Sequence, residues 1–171
     1  MNLNNLRNIA VDAANNAGKF LNDKKHSNKA IHKNIARDIK LELDRDAENI
    51  IRKNLKKTKI SILGEEFGGE IKDEYTWVID PIDGTANYFR GLDQCCISIA
   101  LLHKDEPVIG IILNFNNNDL YEAIKGEGAY CNGDRIYVSD IVSKNDATLT
   151  TGFPASESVE SSIVFLEDLQ K

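Results

Sequence analysis

The segment Trp77-Val78-Ile79-Asp80-Pro81-Ile82-Asp83-Gly84-Thr85 sets two carboxylates, a proline, a glycine and a hydroxyl where an apolar run gives way to polar residues. A second run, Ile60-Ser61-Ile62-Leu63-Gly64-Glu65-Glu66, ends in glycine and acids too. Two strand ends of this kind can deliver oxygens to one point, the donor set that a hard divalent cation requires. Magnesium takes near-octahedral oxygen coordination from a few carboxylates, completed by water and substrate phosphate. Glu65, Asp80 and Asp83 supply three such oxygens, and the carbonyl of Ile82 is a possible fourth. Pro81 stiffens the backbone between the aspartates, and a turn there can swing both side chains to one side despite their odd spacing. Gly84 permits close backbone approach, and if Thr85 opens a helix the free amides there can cradle phosphate. The threonine hydroxyl is placed to hold a water. The chemistry this suits is metal-assisted attack of water on phosphorus.

Other readings of the same residues stay open. Glu65, Asp80 and Asp83 also suit turns and caps on an acidic surface. Asp44 is either a more distant acid of the site or the N-cap of a helix. Glu66, Glu70, Asp73 and Glu74 read as solvated charges, and the scattered His26, His32 and His103 support no histidine-based triad.

The elements that must position these residues follow from periodicity. Leu3, Leu6, Ile9, Ala10, Ala13, Ala14, Ala17 and Leu21 recur at three and four, predicting an amphipathic helix whose last turn Gly18 weakens. Residues 22–34, rich in Asn, Lys and His, read as a connecting loop. A second helix is expected from about Asp44, with Asp46 and Glu48 at its positive end, a stripe of Ala47, Ile50, Ile51 and Leu55, and Lys56 and Lys57 at its negative end. Strands are expected at 60–63, 75–79, 95–102, 108–114, 120–124 and 135–138, with an Asn132-Gly133 turn before the last. Short links such as 103–107 favour antiparallel neighbours. Residues 147–151 and 161–169 read as a strand and a helix opening a further unit.

Composition narrows the class. Apolar residues make up 42% and charged residues 28% of 171, the balance of an ordinary globular domain, which at this length buries roughly two thirds of its unfolded surface. No apolar stretch approaches the ~20 residues of a bilayer span, and the first residues lack the pattern of a secretory signal, so a cytoplasmic protein is expected. Cys95, Cys96 and Cys131 are odd in number with two adjacent, which suggests reduced, partly buried thiols rather than disulfides or zinc. A net charge of -6 opposes attraction to nucleic acid or anionic membrane.

Over Gly64-Glu65-Glu66 and Trp77-Val78-Ile79-Asp80-Pro81-Ile82-Asp83-Gly84-Thr85-Ala86-Asn87-Tyr88 the chain resembles the inositol monophosphatase family. The similarity continues through Gly91, Ser98-Ile99-Ala100-Leu101, Gly110, Tyr121-Glu122-Ala123 and Gly126-Glu127-Gly128-Ala129-Tyr130-Cys131-Asn132-Gly133. The resemblance implies that Glu65, Asp80 and the Ile82 carbonyl hold one Mg2+ and that Asp80 and Asp83 share in a second. It further implies that Asp83, Gly84 and Thr85 bind substrate phosphate and that Glu65 and Thr85 help activate water. Asp44 would serve a weaker third metal, although Asp38-Ile39-Lys40-Leu41-Glu42-Leu43 before it departs from the family pattern. A downstream aspartate of the family, in a motif with tryptophan and glycine, has no match here.

The implied fold is α/β, by segregation α+β: a layered arrangement with a helix pair packed on a largely antiparallel sheet and an incomplete second layer. Residues 1–145 would form a metal- and phosphate-binding domain and 146–171 the beginning of a truncated second one. The expected partner is a small phosphorylated metabolite such as inositol monophosphate, with no nucleic acid and no membrane, and the expected assembly a homodimer. Nucleotide or sugar bisphosphates are the alternative substrates, and a catalytically weak metal- or phosphate-binding module is the alternative role.

Overall fold

The computed structural model describes residues 2–25, 31–35, 38–71, 73–148, 150 and 163–165, with backbone alone for residues 31–41. Helix α1 (Leu3–Lys24) starts where the Asn2 side chain accepts the Asn5 amide at 3.1 Å and buries Leu6, Ala10, Ala13, Ala14, Ala17 and Leu21 along one stripe. It continues past Gly18 because that residue lies against β6 and the turn beyond it, where a Cβ would come within 2.9 Å of Leu113 and 3.0 Å of Phe115. The missing side chain lets helix and sheet approach, which offsets its cost in helix propensity.

The loop expected over 22–34 is shorter than that. Helix α1 runs to Lys24, and β1 (Ile31–Ile35) pairs antiparallel with β2 (Asp38–Leu41) as a separate two-stranded sheet. Helix α2 (Glu42–Leu55) begins two residues earlier than expected and buries Asp44, Ala47, Glu48, Ile51 and Leu55.

A seven-stranded sheet follows, in the order of the chain: β3 (Ser61–Gly64), β4 (Tyr75–Asp83), β5 (Cys96–His103), β6 (Glu106–Asn114), β7 (Asp119–Ile124), β8 (Gly128–Cys131) and β9 (Asp134–Ile136). Every neighbouring pair is antiparallel except β3 and β4, which are parallel. Asn132 and Gly133, with φ of 52° and 87°, form the tight turn into β9, the two-residue hairpin geometry that an Asn-Gly pair favours. Strand β8 was not foreseen, because its Gly-Ala-Tyr-Cys sequence has no apolar alternation.

Alternation of side chains divides the sheet. Trp77, Ile79, Ile97, Ile99, Leu101, Ile109, Ile111, Leu113 and Ile124 turn to the helices and form one core with the α1 and α2 stripes. The opposite face carries exposed Ile112 and Tyr121, and no described element forms a second layer over it, in keeping with the expected architecture. Residues 137–148 have neither helix nor strand, so the strand expected at 147–151 is not formed at Ala147 or Thr148; of the helix expected at 161–169, residues 163–165 are described and are helical.

Short helix α3 (Thr85–Arg90) is tied to α1 by buried Tyr88, whose hydroxyl donates to the Leu21 carbonyl at 2.8 Å and whose ring meets Phe115 edge-on at 5.7 Å. Removing that hydroxyl costs one buried hydrogen bond while leaving the ring packed. Tyr88→Phe is expected to destabilise the chain by about 1 kcal/mol, read as a lower urea midpoint with an unchanged slope; an unchanged midpoint would show that the bond contributes nothing net.

Candidate active site

Parallel pairing puts the ends of β3 and β4 at the same edge. Gly64 is in register with Ile79, and the Glu65 amide extends the ladder by donating to the Ile79 carbonyl at 3.3 Å. Glu65 is thereby brought level with Asp80, and the two side chains hydrogen-bond.

The aspartates are arranged by a bulge rather than by the turn the sequence suggested. Strand β4 runs on to Asp83, with Asp80 opposite Ser98 and Asp83 opposite Cys96, so that Pro81 and Ile82 together face Ile97 alone. One extra residue resets the alternation, and residues three apart come to share a face. Ile82 turns into the core while its amide donates to Asp80 Oδ1 at 3.1 Å.

Gly84 then reverses the chain into α3 with φ of 89°, in a space where a Cβ would lie 2.8 Å from the Gln94 carbonyl. A glycine satisfies both demands. The Gly84 carbonyl accepts the amides of Asn87 and Tyr88, and the amides that open a helix have no acceptor within it, which makes such a turn a place for anions. The Thr85 hydroxyl lies 3.0 Å from Asp44 Oδ1 and 3.0 Å from the Ile82 carbonyl oxygen, and its single hydrogen can serve one of them at a time. Asp44 is therefore no N-cap. It sits inside the first turn of α2, 2% exposed, with its carboxylate turned to Thr85.

The electrostatics follow from crowding. The Asp80 carboxyl is pushed up to about 7, first by burial, then by the charge and hydrogen bond of Glu65 and the charge of Asp83, with the Ile82 amide opposing. Burial also pushes the Cys96 thiol up to about 11, helped by Asp83 and Asp80, which keeps it protonated. All three cysteines are free thiols, as expected.

Among the described residues, no group of three or more acidic, histidine or cysteine side chains is gathered as a ready metal cluster. Glu65 and Asp80 touch, whereas Asp83 interacts with Asp80 through charge and lies exposed with its Oδ2 3.8 Å from Cys96 Sγ. The donor chemistry nevertheless fits a hard cation, since two carboxyl groups that share a proton present, once it is lost, adjacent charged oxygens that a cation can hold together.

The depth of one pair in this region escaped sequence reasoning. Glu48, expected at the positive end of the second helix, lies midway along α2 and is wholly buried, paired with Arg52 at 2.7 Å. The available signal was their i,i+4 spacing, which gives no indication of depth.

A profile of the inositol monophosphatase family matches residues 2–171. The chain belongs to the inositol monophosphatase family. It is similar to the Nus factor SuhB of Xylella fastidiosa, 38% identical over 156 residues that cover 88% of this chain and 56% of that protein. It is also similar to the fructose-1,6-bisphosphatase/inositol-1-monophosphatase of Aquifex aeolicus, 41% identical over 103 residues that cover 60% and 39%. The crystal structure of the extragenic suppressor protein suhB from Bartonella henselae matches with a TM-score of 0.87 at 30% identity, covering 96% of this chain and 66% of that one. The inositol monophosphatase family chain described here spans about half the length of the curated relatives it matches. None of its described helices is long and apolar enough to cross a membrane.

The raised Asp80 carboxyl has a consequence for stability. Its folded pKa lies above the unfolded value near 3.8, so between the two the folded chain binds more protons than the unfolded chain, and stability falls as pH rises through that window. With chelator present, Asp80→Asn is expected to melt above the unsubstituted chain at pH 8, the gap closing as pH is lowered toward about 4. Thermal melts across that series test this, and a gap independent of pH would sink it.

Proposed function

We propose that this chain carries out magnesium-dependent hydrolysis of a small phosphate monoester, inositol monophosphate being the reference substrate. The observation that carries the reading is the contact between Glu65 and Asp80 at the ends of two parallel strands, beside the Gly84–Thr85 turn. Family membership supports a magnesium-dependent phosphatase of small phosphate esters.

In this reading Glu65, Asp80, Asp83 and the Ile82 carbonyl hold the cation. Bound there, magnesium would neutralise the phosphoryl oxygens and acidify water. The chain's own groups do the rest. Gly84 lets the backbone close on the phosphate, and the first amides of α3 orient it. Thr85 positions the attacking water, its hydroxyl hydrogen directed to Asp44 Oδ1 so that an oxygen lone pair is left to accept from that water. Asp44, buried behind Thr85, sets this polarity; it acts on the hydroxyl and is not assigned a cation of its own. A homodimer in the cytoplasm is the setting proposed with it.

A second reading is hydrolysis of a sugar bisphosphate, favoured by the likeness to the Aquifex aeolicus protein, whose name covers both activities. The two differ in the groups that surround the ester beyond its phosphate, and a competition between inositol monophosphate and fructose 1,6-bisphosphate would rank them.

Phosphate release from inositol monophosphate by the 171-residue chain is expected to require magnesium. Asp80→Asn should lower it by more than the ~100-fold that loss of an outer-shell partner costs. Release that continues without magnesium, or that Asp80→Asn leaves intact, would refute the assignment.

A further inference from the structure

Behind the acids lies a charged pair that the proposed chemistry does not use. Glu48 and Arg52 stand one turn apart on α2, with Arg52 Nε donating to Glu48 Oε1 at 2.7 Å. The rest of their hydrogen-bonding capacity is directed at one stretch of backbone. Glu48 Oε2 accepts the Glu66 amide at 2.7 Å and Oε1 the Phe67 amide at 3.3 Å. Arg52 Nη2 donates to the Gly68 carbonyl at 2.6 Å and Nη1 to that of Ile62 at 3.4 Å. The Gly68 carbonyl also accepts the Gly64 amide at 3.1 Å.

Glu65 is thus fastened on both sides. Its predecessor Gly64 is closed onto Gly68, its successor Glu66 is held by Glu48, and its own amide joins β4. The outer side of the loop is covered as well, with the Arg45 and Arg52 guanidinium groups 5.0 Å and 5.8 Å from the centre of the Phe67 ring. Gly64 is part of the same fit, because a Cβ there would overlap the Glu48 carboxylate and approach Arg52 Nη2 to 2.9 Å.

A buried ion pair is a poor source of net stability, since the desolvation of two charges consumes most of their attraction, and apolar residues of similar volume commonly serve as well. What such a pair does supply is direction. All of its remaining hydrogen bonds described here go to residues 62–68, the segment that carries Glu65 out of β3.

We propose that Glu48 and Arg52 are a positioning pair that fixes the backbone on both sides of Glu65, so that the cation affinity of the site depends on two α2 side chains that do not contact the cation. The inference rests on the reading of Glu65 and Asp80 as cation ligands, and its test separates the two. Loosening the loop leaves every proposed ligand in place and changes how well one of them is aimed, an effect that in metal sites amounts to roughly 10–100-fold in affinity.

The experiment is calorimetric titration of the 171-residue chain with Mn2+, alongside Glu48→Gln, Arg52→Lys, Gly64→Ala and the core control Ile51→Val, with folding checked by circular dichroism. Glu48→Gln keeps the shape but turns an amide donor toward groups that need an acceptor; Arg52→Lys keeps the charge but loses the fork; Gly64→Ala displaces the carboxylate from the other side. Each is expected to weaken Mn2+ binding roughly 10–100-fold and to speed hydrogen exchange at the Glu66 amide. Ile51→Val, buried on the same helix, should lower the melting temperature and leave Mn2+ binding unchanged. Should one buried variant fail to fold, the two that remain read the same linkage from other directions. Folded variants that bind Mn2+ as tightly as the unsubstituted chain, or an Ile51→Val loss equal to theirs, would overturn the positioning role alone. Absence of Mn2+ binding by the unsubstituted chain would overturn the cation site and, with it, this inference.

Discussion

One parallel strand pair organises the chemistry of this chain. In an antiparallel sheet successive strands end at opposite edges, so acids at the ends of β3 and β4 would lie a strand length apart. Parallel pairing places Gly64 beside Ile79 and carries Glu65 to Asp80. A parallel return commonly uses a dozen or more residues and a helix; here residues 65–74 make it, folding back along β3 so closely that a Cβ on Gly69 would overlap the Ile62 carbonyl. A link this tight needs partners for its turning amides and carbonyls, and α2 supplies them.

The second constraint is the bulge at Pro81 and Ile82. Without it, Asp80 and Asp83 would point to opposite faces, one into a core of isoleucines. With it, Ile82 enters that core and both carboxylates stay outside. Just beyond the same bulge the Ile82 carbonyl oxygen lies 3.0 Å from the Thr85 hydroxyl. Anchoring of α3 through Tyr88 to α1 then ties the Gly84–Thr85 turn to the longest of the described helices. Backbone geometry holds the acids together, while burial first and then the charges of Glu65 and Asp83 push the Asp80 carboxyl up. Such opposition between local electrostatics and overall fold is expected where binding is the purpose.

Much of this was legible in the residues. The α1 stripe, six of the seven strands in the large sheet, the Asn132-Gly133 turn and the free state of the thiols follow from period, turn chemistry and cysteine count, because each is a local property of the chain. The stripe through Leu21 carried α1 beyond Gly18, but the reason for a glycine there was not legible, since the strand that fits against it is almost a hundred residues away. The hairpin of β1 and β2 was hidden by a polar, lysine-rich composition, and β8 by small residues. Asp44 was equally readable as a cap or a site acid, and only its contact with Thr85, 41 residues on, separates the two.

The sequence by itself determined the elements and the inventory of oxygens: which runs become strands and helices, and that Glu65, Asp80, Asp83, Gly84 and Thr85 stand at their ends. The tertiary structure alone decided direction, depth and support. Whether β3 and β4 run the same way, whether two aspartates three apart share a face, and whether Glu48 lies in water or in the core all depend on pairings between segments far apart in the chain. Those pairings are set by how the whole apolar surface is buried at once, and no local spacing encodes them.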